Sequence, residues 1–197
     1  QSWRSDLWER LGREYLDGAD YTAALDAFEK GNTSGVISTN GKIAWADAMI
    51  SSGTPESAKE LLRETTSDQS TLFDMLQIVA LQRRISDVFG AEATLLKANR
   101  LFPDNEKIAF QLGLMLCTTQ PDSAIQFLSK VQNANQNDLL LKEALITTIK
   151  NTESLAAAER FLQIGQVLST FEEWDVAKQA FQSALVNDPE SALALIY

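Results

Sequence analysis

The sequence predicts an all-α chain: about ten helices joined by short connections and folded back on one another in antiparallel pairs. Three observations predict it. Apolar residues recur at three- and four-residue spacing almost throughout, the pattern of helices with one buried face. Runs of β-branched residues with period-two alternation are missing. Small residues return at a fixed interval close to 34 residues, as a repeated helical pair would require.

Polar or glycine-bearing stretches mark the helix ends in order: DGAD, GNTSGVISTNG, SSGTPE, TTSDQS, FPDNE, TTQPDS, NANQND, KNTE, STFEE and NDPE. The segments between them run mostly 12 to 18 residues, an ordinary helix length. All four prolines fall at these breaks. Pro55 and Pro121 open helices, where a missing N–H costs nothing. Pro103 and Pro189 follow helix ends, with Asp104 and Glu190 beside them at the entry to the next helix. GNTSGVISTNG reads as a longer, mobile loop.

The interval is carried by two series. Gly12, Ala46, Ala80 and Gly113 are separated by 34, 34 and 33 residues. Ala24, Ala58, Ala91 and Ala124 are separated by 34, 33 and 33. Two antiparallel helices approach closely only where both carry small side chains, so the spacing predicts Gly12 against Ala24 and so on along the chain. In WERLGREYLDGADYTAALDAF, Trp8, Tyr15, Tyr21 and Phe28 then interlock around that contact as core residues.

These residues resemble the tetratricopeptide repeat family, whose unit is a helix-turn-helix of about 34 residues. Trp8, Leu11, Gly12, Tyr15, Tyr21, Ala24 and Phe28 match its pattern in register, as do Phe161, Ile164, Gly165, Leu168, Trp174, Ala177, Phe181, Ala184 and Pro189. The middle is degenerate: Trp45, Ala46, Met49, Ala58 and Leu62; then Ala80, Ala91, Leu95, Ala98 and Pro103; then Leu112, Gly113, Leu116, Ala124 and Leu128. The first unit departs at its end, with Gly31 where alanine is usual and no closing proline. The resemblance implies one domain, 1–197, wound as a right-handed superhelix of helical hairpins. Its units are 5–38, 39–71, 72–104, 105–137 and 158–191, and a further helix begins in 191–197.

One interval breaks the series. Ala124 to Ala177 is 53 residues, or 34 plus 19, which leaves room for one extra helix. LLLKEALITTI, Leu139 to Ile149, fills it within an irregular stretch, 138–157 and its approach from 133. Either this helix serves two neighbours or it stands unpaired; an alternative frame pairs it with the segment Ser154 to Ser169 through Ile146 and Ala158.

Composition excludes several functions. With 27 acidic and 17 basic residues the net charge is −10, which repels phosphate backbones and speaks against nucleic acid as a partner. No apolar run is long enough to span a bilayer, so direct membrane insertion of this segment is not expected. There is no histidine, which removes Ser-His, Cys-His and histidine-metal chemistry. The glycines of LGREYLDG have the wrong spacing for a phosphate loop. Glu172-Glu173 reads as a helix start favoured by the dipole rather than an acid–base pair. Cys117, the one cysteine, reads as a small buried hydrophobe. Asn32-Thr33-Ser34 fits a glycosylation sequon, a weak three-residue match. No enzyme, metal site or cofactor is expected.

The resemblance implies a concave groove lined by the first helix of each unit. Carried over position by position, its lining is Glu9 and Arg13; Ile43, Asp47 and Ile50; Leu81 and Arg84; Phe110 and Leu114; Leu162 and Gln166. The lysine and asparagine clamp of the family's chaperone-tail binders has no counterpart among them. The apolar members suggest a groove for an extended or helical segment of a partner protein; the competing expectation is that the groove is filled from within. The expected function is a protein–protein interaction scaffold or adaptor whose partner is a protein or peptide. The alternative is a structural or regulatory repeat domain of a larger protein, membrane-anchored or multidomain, since the chain starts at Gln1 and SALALIY reads as a helix cut short. Self-association through terminal helices is a further expectation.

Overall fold

The computed structural model describes residues 2–190. Among the described residues there are eleven α-helices and no strand. The further helix expected in 191–197 lies outside them. The chain divides into two compact units, Gln1–Thr94 and Leu95–Tyr197.

The first unit holds α1 (Ser2–Asp17), α2 (Tyr21–Ser34), α3 (Thr39–Ser51), α4 (Pro55–Thr65) and α5 (Leu72–Arg84), and the boundary falls inside α6 (Val88–Leu101). Helix α1 packs on α2, and α3 packs on α4. Helix α3 also lies against α1, α2 and α5. Its starts are encoded locally. The side chains of Asp20, Ser38 and Thr71 accept from backbone N–H groups of the first turn, and Thr71 with Asp74 forms a capping box. Asp87 caps α6 through the Gly90 N–H at 3.3 Å, and the buried carboxylate also meets Lys59 at 3.3 Å.

Four hairpin turns share one backbone solution. Ala19, Gly53, Ser86 and Glu172 all have positive φ, at 58°, 87°, 57° and 63°. The residue after each donates its N–H five residues back, to Tyr15, Met49, Gln82 and Leu168, at 2.8–3.0 Å. This is the Schellman closure, which satisfies the last carbonyls of the helix. Only Gly53 is glycine, so the other three carry left-handed strain. The sequence marks no break between TTSDQS and FPDNE, where the turn at Ser86 separates α5 from α6 and brings the helices among the described residues to eleven.

The glycine series works differently from the expected small-on-small contact. A Cβ at Gly12 would lie 2.8 Å from the Phe28 ring. One at Gly165 would lie 2.5 Å from Phe181, and one at Gly113 2.6 Å from Leu128. The glycine makes room for the large residue one turn after the alanine, not for the alanine itself. Ala46 and Ala58 do share a buried cluster with Ile43, Leu62, Ile78 and Leu81. Ala80, by contrast, is exposed, so the third member of the series makes no such contact. Of the four aromatics expected to interlock around Gly12 and Ala24, only Phe28 is fully buried, stacked on Trp45 with centroids 6.4 Å apart. Trp8 and Tyr21 are half-buried and Tyr15 is exposed.

The GNTSGVISTNG segment is also corrected. Helix α2 continues through Ser34 and α3 starts at Thr39, leaving a four-residue link, 35–38. Gly31 sits inside α2 because Trp8 and Ile37 press on it: a Cβ there would lie 3.3 Å from Trp8 Cβ and 3.4 Å from Ile37 Cδ1. The buried Ser5 hydroxyl fastens the end, donating to the carbonyls of Gly31 (3.0 Å) and Val36 (3.1 Å).

The second unit holds α7 (Glu106–Cys117), α8 (Pro121–Leu128), α9 (Gln136–Asn151), α10 (Ala157–Thr170) and α11 (Trp174–Asn187). Helices α7 and α8 pair, as do α10 and α11. The extra helix α9 lies on α10, α8 and α7, burying Leu141, Leu145 and Ile149. Helix α11 also reaches α7, where the Ser183 hydroxyl donates to the Thr118 carbonyl at 2.7 Å. Two carboxylates tie this unit together. Glu106 accepts from the N–H groups of Gln132 and Asn133, both at 2.7 Å, and so holds the link into α9. Those hydrogen bonds keep the Glu106 pKa below its ordinary value. Asp122 on α8 takes a bidentate pair from Arg160 on α10, which also donates to the Ile149 carbonyl.

Candidate protein-interaction surface

In the first unit, α3 lies beside both α1 and α5. Glu9 pairs with Arg13 at 3.1 Å, one turn away on α1. Its carboxylate also accepts the Ser38 N–H at 3.0 Å and the Ser38 hydroxyl at 2.7 Å. The Ser38 hydroxyl oxygen in turn accepts the Gly41 N–H at 3.0 Å, so α1 and the start of α3 share one polar network. Gly41 is required there, because a Cβ would overlap the Glu9 carboxylate. Burial pushes the Glu9 carboxyl up, but the Ser38 hydroxyl and amide and the Arg13 guanidinium outweigh it and hold its pKa below the ordinary value.

Arg84 ties α5 to α3. Its guanidinium meets Asp47 Oδ1 at 2.9 Å, the Ser51 hydroxyl at 3.0 Å and the Asp47 carbonyl at 3.5 Å. Arg13, Asp47 and Arg84 keep 36–45 % of their side-chain surface open. Ile50 is half-buried against the cluster of Ile43, Ala46, Leu62, Ile78 and Leu81. A cleft of about 550 Å³ opens beside Glu9, lined also by Asp6, Leu7, Arg10 and Ser38.

The apolar members of the expected lining are not on the surface. Ile43, Leu81, Phe110, Leu114 and Leu162 are all buried. Ile43 and Leu81 belong to the core between α3, α4 and α5. Phe110, Leu114 and Leu162 are packed within the second unit, where α7 and α10 have neighbours on more than one side. Gln166 is half-buried on α10. Of the expected lining in the first unit, Glu9 pairs with Arg13 and Asp47 pairs with Arg84, and Ile50 is half-buried. The expected list missed Asp6, Leu7, Arg10 and Ser38. Ser38 had a readable signal, a serine directly before a helical stretch three residues ahead of Gly41.

Among the described residues no group of histidine, cysteine or acidic side chains could hold a metal, and no helix is long and apolar enough to cross a membrane. Cys117 is buried, and desolvation pushes its thiol up to about 12.

No protein-family model matches the chain, and no curated protein matches it. Solved structures do. The chain is similar to PilF of Pseudomonas aeruginosa at 21% identity and a TM-score of 0.54, over 98% of this chain and 96% of that one. It is similar to the MamA protein at 18% identity and a TM-score of 0.53, over 98% and 96%. It is similar to YrrB, described as a TPR protein with an unusual peptide-binding site, at 13% identity and a TM-score of 0.51, over 96% and 89%. The fold is thus that of the tetratricopeptide-repeat proteins, an all-α helical repeat.

Proposed function

We propose that this chain is an interaction scaffold that takes a peptide or helical segment of a partner protein on the α1–α3–α5 face. The observation that carries the reading is the row of half-open ion pairs, Glu9–Arg13 and Asp47–Arg84, on three adjoining first helices beside an open cleft. Side chains held in place by their pairs lose little further freedom when a ligand arrives, which favours binding. Each retains hydrogen-bonding capacity: Arg13 and Arg84 can donate to a peptide carbonyl or carboxylate, and Asp47 can accept from an amide. Ile50 supplies a short apolar contact between them. The partner segment is therefore polar, with both signs of charge, rather than the apolar helix that Phe110 and Leu114 suggested. The peptide-binding site named for the similar protein YrrB supports this class of role.

The test is selection from a displayed peptide library on the immobilised chain, with the variant R13A/R84A as the counter-target. Enrichment of sequences that bind the native chain and lose at least tenfold on the variant, roughly 1.4 kcal/mol, supports the assignment. Peptides that bind both equally, or no enrichment at all, would overturn it.

A further inference from the structure

Asn40-Gly41 is the one asparagine–glycine pair in the chain. Such a pair is prone to deamidate, because glycine has no side chain to keep its backbone nitrogen from the preceding asparagine carbonyl. A bond forms between Gly41 N and Asn40 Cγ, and the side-chain amide leaves as ammonia, taking the Gly41 amide proton. Water then opens the cyclic imide to aspartate or isoaspartate. In the mobile loop expected for GNTSGVISTNG nothing would slow this. The structure instead places the pair in the first turn of α3, with Asn40 exposed and Gly41 buried.

We infer that Asn40 is a site of spontaneous deamidation that the Glu9–Ser38–Gly41 network keeps shut. The attacking nitrogen has to lose its proton and turn toward the side chain before it. The Gly41 N–H is instead held by the Ser38 hydroxyl oxygen at 3.0 Å. Ser38 is itself held from α1, its hydroxyl and N–H donating to the Glu9 carboxylate at 2.7 and 3.0 Å. The Lys42 N–H donates to the Ser38 carbonyl at 2.9 Å and closes the turn behind it. The Glu9 carboxylate also lies against Gly41, where its charge opposes the amide anion that attacks. The exposed Asn40 side chain is therefore within reach of water, but its nucleophile is not free. Local opening at the α1–α3 corner, less costly than global unfolding, sets the rate. The isoaspartate product runs the backbone through Cβ, lengthens the first turn of α3 by a carbon and breaks the corner that Glu9 joins.

Deamidation of the full chain at mildly alkaline pH tests this, followed by mass spectrometry of the tryptic peptide 31–42 with fragment ions that separate Asn40 from Asn32. A synthetic peptide of residues 31–42 gives the unprotected rate. Asn40 in the native chain should react at least roughly tenfold more slowly than in that peptide. S38A should react roughly fivefold faster than the native chain, the factor set by loss of a helix cap. S38T, which keeps the accepting oxygen, should stay near the native rate. E9A, which frees the Ser38 hydroxyl and removes the opposing charge, should be faster than native. If S38A or E9A loses helix content, hydrogen exchange of the Gly41 amide in the native chain decides: slow exchange supports the inference, and exchange at the peptide rate overturns it. Native chain and peptide deamidating at one rate, S38A no faster than S38T, or E9A at the native rate overturns it equally.

Discussion

Replacing Gly12 with alanine tests the central packing idea, that the glycine exists to admit a ring. The new methyl carbon would sit 2.8–2.9 Å from three atoms of the Phe28 ring. Carbon atoms in good contact stand about 3.5–4.0 Å apart, so roughly 0.7 Å or more must be found by movement. Phe28 has little room to move: it is fully buried and stacked on Trp45. Overpacking of this kind costs about 1–3 kcal/mol. Against it stands the helix propensity of alanine over glycine, worth about 1 kcal/mol. The pinned ring favours the upper part of the cost, which leaves a net loss of about 1–2 kcal/mol. In a chain of this size each kcal/mol lowers the melting midpoint by about 2–4 °C. Thermal and urea unfolding of G12A, F28L and G12A/F28L form the assay. F28L alone should destabilise, but G12A should cost far less in its presence, a coupling of about 1 kcal/mol. If G12A melts at or above the native midpoint, the ring does not set the requirement for glycine. Additive single changes would refute the reasoning as firmly.

Three further outcomes follow from the same geometry. The Glu9 pKa is lowered on folding, so its contribution is fully present above the ordinary glutamate value and disappears as pH falls through that value to the depressed one. Acid titration of stability should show E9Q less stable than native at neutral pH, by about 1 kcal/mol, and less sensitive to acid in that window; equal acid profiles would count against the Ser38 network. A19G, S86G and E172G should each stabilise by roughly 0.5–1 kcal/mol, since left-handed backbone strains any residue but glycine, while G53A should destabilise; urea midpoints decide. Cys117, buried with its thiol pushed up to about 12, should resist alkylation in the native chain at pH 8 and react promptly in denaturant; rapid native labelling, followed by mass spectrometry, would show the α7 core to be open.

The polar face illustrates how far local reading reaches. Glu9, Arg13, Asp47 and Arg84 could be placed on first helices from the repeat register alone, because register is a one-dimensional property. Their pairing could not. Glu9 meets Arg13 at helical spacing, which is legible, but Ser38 is 29 residues away and reaches Glu9 only because α1 and α3 lie side by side. Asp47 and Arg84 are separated by 37 residues and share the same reason. Ile43, Leu81, Phe110, Leu114 and Leu162 occupy groove positions by register, and that register says nothing about which neighbour covers them.

By itself the sequence determined the helices and most of their ends, since apolar periodicity, capping side chains and proline act within a few residues of where they stand. It determined the repeat interval and the extra helix between Ala124 and Ala177, since both are counts along the chain. Only the tertiary structure decided that Gly12, Gly113 and Gly165 answer to Phe28, Leu128 and Phe181, because the clash arises between helices. It alone decided that the α2 helix runs through Gly31, where Trp8 and Ile37 close in. It also decided that Ile43, Leu81, Phe110, Leu114 and Leu162 are buried, because burial belongs to the helix lying opposite a residue and not to the residue.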